Sequence, residues 1–111
     1  MHIVNTVNRI RRVLLVGDEQ EKADRVTRIL EGDGYIVTTT LSSTTALDLA
    51  DNSPFDALVI DAEVPLTDRR YLLRVVQVKE PFTASVIVES PASVVSQLKQ
   101  ALKEADSSRP D

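Results

Sequence analysis

The chain has 111 residues, a net charge of −4 and 42% apolar residues, an amount of sequence that suits one globular domain with a single core. With no cysteine, disulfides, thiolate metal sites and cysteine nucleophiles are excluded, and the single histidine, His2, has no second member for a histidine metal site or a catalytic triad. No long basic block is present, and the longest apolar run near the N-terminus is Val13–Val16, so neither nucleic-acid binding nor a membrane span is expected and a cytoplasmic location is the default.

Residues 1–11 show no clean period and read as an N-terminal arm; Arg9, Arg11 and Arg12 are read as a solvated lead-in. Val13-Leu14-Leu15-Val16, closed by Gly17-Asp18, suits a strand covered on both faces. From Glu19 the apolar residues Ala23, Val26, Ile29 and Leu30 fall at helical spacing, and Gly32 and Gly34 stop the helix. Tyr35–Thr40 is a second strand. Ser42 or Ser43 caps a short helix that ends at Asn52-Ser53-Pro54. Ala57-Leu58-Val59-Ile60 is a third strand that stops at Asp61. After Pro65, Thr67 or Asp68 opens a helix that Pro81 closes, and Ser85–Val88 is a fourth strand. The segment 92–105 carries a helical stripe of Val94, Val95, Leu98, Ala101, Leu102 and Ala105; the polar tail 106–111 is expected to fray.

This order, βαβαβαβα, implies an α/β domain over residues 12–105, with a parallel sheet between two helical layers. In such sheets ligands bind beyond the carboxyl ends of the strands, which points to Asp18, Asp61 and Glu89-Ser90. Asp18 and Asp61 would face each other if the first and third strands are neighbours. Two acids so placed imply a cation, and all-oxygen ligands favour Mg²⁺ over zinc or copper. Ser90 would add a donor for an anionic group. The competing reading is that these residues merely end strands and cap helices.

Three stretches, Val13-Leu14-Leu15-Val16-Gly17-Asp18-Glu19, Asp56–Asp68 with Asp61 and Pro65, and Val86-Ile87-Val88-Glu89-Ser90, resemble in the same order the first, third and fourth strands of a response-regulator receiver domain. The resemblance implies a flavodoxin-like, receiver-like three-layer fold. It further implies that Asp61 accepts a phosphoryl group from a histidine kinase, that Asp18, Asp61 and the backbone carbonyl of Glu63 hold Mg²⁺, and that Ser90 grips the phosphoryl oxygens. Gly17 stands where the first acid of the receiver's pair is expected, and Val64 and Arg69 replace its usual methionine and glycine. The lysine of a fifth strand has no counterpart, since Lys99 and Lys103 fall within the last helical stripe.

A full receiver has a helix, a strand and another helix after the fourth strand, roughly 35–40 residues by ordinary element lengths. Only residues 91–111 follow Ser90, so a shortened sheet of four strands in the order 2-1-3-4 is expected, with the fourth strand at an edge. An apolar edge such as Ser85-Val86-Ile87-Val88 pairs readily with another chain, which makes a homodimer the expectation unless the arm 1–11 covers it. The resulting expectation is a stand-alone, non-enzymatic signalling domain of a two-component phosphorelay, partnered by a histidine kinase or another signalling protein. The alternative is a pseudo-receiver acting in protein interaction or dimerisation without phosphorylation. An aspartate-nucleophile phosphatase is more distant, because no cap insertion or second acidic loop accompanies Asp61.

Overall fold

The computed structural model describes residues 10–108, and the strand–helix alternation runs through them. In chain order the elements are β1 (Arg12–Val16), α1 (Gln20–Gly32), β2 (Ile36–Thr40), α2 (Ser43–Asn52), β3 (Ala57–Asp61), α3 (Leu66–Lys79) and β4 (Ala84–Val88), followed by a 3-10 turn (Pro91–Ser93) and α4 (Val94–Ser108). The strands form one parallel sheet in the order β2-β1-β3-β4, as expected for the shortened receiver. The arm expected over residues 1–11 falls for the most part outside the described residues.

Side chains of a strand alternate between the two faces of its sheet, and that period divides the core in two. Val13 and Leu15 of β1 join Ala57 and Val59 of β3 beneath α1 and α4, where Val26, Leu30, Val94 and Leu98 close the layer. Leu14, Val16, Leu58 and Ile60 point the other way and pack with Ala46, Val64, Leu72 and Val76, from α2, α3 and the loop before α3. Every residue of β3 is buried, which explains the apolar run Ala57-Leu58-Val59-Ile60 ahead of Asp61. Burial of each large aliphatic side chain contributes roughly 1.5–3 kcal/mol relative to exposure.

The ends of the helices follow their capping chemistry. Ser42, the first of the two candidates, caps α2 by accepting the Thr45 N–H at 3.1 Å. Gly34 closes α1 with φ +96°, a left-handed conformation that costs glycine little. α3 starts at Leu66, directly after Pro65, slightly earlier than the sequence pattern predicts. α4 continues to Ser108, beyond the point where fraying is expected. Asp106 within it is held by the Arg11 guanidinium at 2.6 Å, and this hydrogen bond keeps the Arg11 pKa above its ordinary value.

β4 is an edge strand on the side away from β3. Ala84 N–H bonds to Asp56 O and Val88 O accepts Ala62 N–H, so the backbone of Ser85 and Ile87 points outward. α4 meets part of that edge: Gln97 Nε2 donates to Ile87 O at 3.2 Å.

Leu58, fully buried at the centre of the α2/α3 face, tests this packing. Leu58→Ala is expected to lower the unfolding free energy by about 2–5 kcal/mol, read as a fall in the urea midpoint.

Candidate functional site

The alternation that sorts the core also aims Asp61. It shares the parity of Ala57 and Val59, so its side chain leaves β3 on the α1 side of the sheet, and it is 3% exposed. There it meets the ammonium of Lys22, whose Nζ lies 3.3 Å from Oδ1 and 3.2 Å from Oδ2. The same ammonium donates to the backbone carbonyl of Glu89 at 3.0 Å, just beyond β4. The backbone N–H of Glu63 donates to Asp61 Oδ1 at 2.8 Å, within a turn that Val64 N–H closes on Asp61 O.

A carboxylate this far from water is tolerated only with charge and hydrogen bonds around it. Asp61 receives one full positive charge, one N–H donor and a place near the N-terminal end of α1. Lys22 sits in the first turn of α1, where a cation opposes the helix dipole and an acid would be favoured. Its ion pair with Asp61 offsets that local cost.

The other residues singled out in the sequence take different positions. Asp18 follows Gly17 at the carboxyl end of β1, on the expected edge of the sheet, but its side chain is exposed. Glu63 is exposed and contributes its N–H to Asp61. Ser90 is exposed and caps the 3-10 turn through a long, 3.4 Å contact from Ala92 N–H, while its carbonyl accepts both Ser93 N–H and Ser93 Oγ. Arg69 turns back to donate to Val64 O at 2.9 Å. Lys99 pairs with Asp33 beyond the far end of α1, well away from Asp61 in the fold.

Gly17 has a steric reason to be glycine. A Cβ there would lie 2.9 Å from Ala23 Cβ and 3.1 Å from Leu41 Cδ2, so the place of the receiver's first acid is closed by α1 and the loop after β2. Among the described residues no three acidic side chains converge as a metal site. As folded, both Asp61 oxygens face the Lys22 ammonium, whose charge opposes a divalent cation on the same carboxylate. Lys22 is the residue that the sequence pattern does not single out. Its only signal is a lysine in the first turn of a helix that starts beside the carboxyl ends of two central strands.

The closure at Gly17 is testable. Gly17→Asp is expected to destabilise the domain by about 1–3 kcal/mol through overpacking, and Ala23→Gly in the same chain should recover part of the loss, both measured by urea unfolding.

No family profile matches the sequence, and comparison with curated proteins finds no relative. Solved structures do match. A CheY-like response regulator receiver domain protein from Methanospirillum hungatei JF-1 superposes with a TM-score of 0.79 at 19% identity, covering 91% of this chain and 100% of the other. The signal receiver domain of an HD domain-containing protein from Pseudomonas fluorescens Pf-5 gives 0.79 at 21% identity, with 94% and 95% covered. The response regulator TrrA of Thermotoga maritima, solved with Mg²⁺-BeF, gives 0.70 at 18% identity, with 86% and 99% covered. The chain has the fold of a CheY-like response-regulator receiver domain, with a four-stranded sheet among the described residues.

Proposed function

We propose that this chain is a receiver-type signalling module that works through protein–protein contacts and carries no phosphoryl group on Asp61. The supporting observation is the state of the carboxylate: Asp61 is 3% exposed and both of its oxygens lie within 3.3 Å of the Lys22 ammonium. In-line phosphoryl transfer needs an accessible attacking oxygen and stabilisation of the charge that develops on the transferred group. Here the nucleophile is enclosed, and the cation beside it is committed to the ground-state carboxylate and to Glu89 O.

The competing reading, transfer from a histidine kinase to Asp61, draws support from the position of Asp61 at the carboxyl end of β3. The shared fold adds to it, since one neighbour of that fold was solved with Mg²⁺-BeF. Incubation with Mg²⁺ and acetyl phosphate separates the two. No mass increase is expected; a phosphoryl adduct that disappears in Asp61→Asn would overturn the proposal.

A second copy of the chain is the partner that the β4 edge suits. The backbone N–H and C=O of Ser85 point outward, away from β3. Strand pairing across a two-fold axis would use those groups, beside the Ile87 carbonyl that Gln97 already occupies. Val86 is 6% exposed and belongs to the core beneath α4, so a change there would confound folding with assembly. Ser85→Pro removes an outward N–H while leaving the β3 ladder intact. Sedimentation at micromolar concentration is expected to show a dimer for the wild type and a monomer for Ser85→Pro.

A further inference from the structure

We propose that Lys22 is the resident cation of the Asp61 site, an ammonium built into α1 that occupies the position a divalent metal would need and holds the site closed. This rests on the reading of the domain as phosphorylation-independent and supplies its physical cause. Three observations carry it. The ammonium of Lys22 reaches both Asp61 oxygens and the Glu89 carbonyl at once, at 3.3, 3.2 and 3.0 Å, so it joins the start of α1 to the ends of β3 and β4. It is the charge that offsets a carboxylate whose side chain is 4% exposed, and its own side chain is 22% exposed, so the pair is largely shielded from solvent. The place of the receiver's first acid is Gly17, where a Cβ would crowd Ala23 Cβ of α1 at 2.9 Å.

The two features depend on one another. Mg²⁺ keeps most of its water and is held by one or two carboxylates, and the carboxylate at the centre of this site is already paired with Lys22. A lysine brings one charge and three donors, which suits a site with one buried carboxylate and a carbonyl. Replacing the metal by a side chain also changes the regulation of the site. A dissociable ion can leave or be exchanged, whereas Lys22 is tethered by the helix and present at every moment. The carboxyl edge of the sheet is then held in one arrangement by β3, β4 and α1 together, independent of Mg²⁺ concentration.

Thermal unfolding with and without millimolar Mg²⁺, for the wild type, Lys22→Met and Lys22→Met with Asp61→Asn, tests the proposal. The wild type is expected to show no Mg²⁺-dependent change in Tm. Lys22→Met leaves a buried carboxylate unpaired and should lower Tm by roughly 10 °C or more, a loss that Mg²⁺ partly reverses. The double variant, neutral at both positions, should regain most of the Tm and lose the Mg²⁺ response. Should Lys22→Met fail to fold, a double variant close to the wild type supports the proposal equally, since the defect then lies in the unpaired Asp61. A Mg²⁺-dependent rise of the wild-type Tm would overturn the proposal. So would a Lys22→Met protein as stable as the wild type, or a double variant no better than the single one. Phosphorylation of the wild type at Asp61 would count against the functional reading instead, and is measured separately by mass.

Discussion

The fold and the site both depend on the burial of β3 on two faces. A central parallel strand covered by helices on both sides must be apolar throughout, and its two-residue period assigns each side chain to one layer or the other. Val59 is thereby committed to α1 and α4, and Ile60 to α2 and α3. The next residue, Asp61, is delivered to the α1 side with no freedom to turn away. A carboxylate is forced into a nearly dry position, and the neighbouring elements have to supply its counter-charge.

α1 supplies it in a way that also shapes the rest of the edge. The helix packs so closely on the end of β1 that Ala23 crowds any side chain at Gly17, and its first turn places Lys22 against Asp61. Gly17 is one of several departures from the receiver pattern, beside Val64 and Arg69, and its crowding and the Lys22 ion pair are both set by the approach of α1. Glu63 and Ser90 keep their places along the chain: the backbone N–H of Glu63 supports the carboxylate, and the Ser90 side chain caps a short turn.

The architecture is legible in the sequence because its signals are local. The β-branched run of β1, the helical stripe of Val94, Leu98 and Leu102, and the Gly and Pro punctuation are all read from short stretches of chain. Asp61 is legible for the same reason, standing at the end of an apolar strand. Lys22 is not, because its role arises from contact across 39 positions of sequence and its own helix turn would favour an acid. The end of α4 escapes the sequence pattern for a related reason: Arg11 holds Asp106 across 95 positions, and composition alone marks that tail as polar. The outward face of β4 is only half legible, since the capping of Ile87 O by Gln97 depends on how α4 returns over the edge.

A crystal structure determined with millimolar Mg²⁺ in the crystals would test the central claim most directly, by what stands beside the Asp61 carboxylate. The account predicts the Lys22 ammonium, near the 3.2 Å separation found here, with Glu89 O as its third partner. An octahedral ion at about 2.0–2.1 Å from Asp61, with Lys22 turned out to solvent, would contradict it.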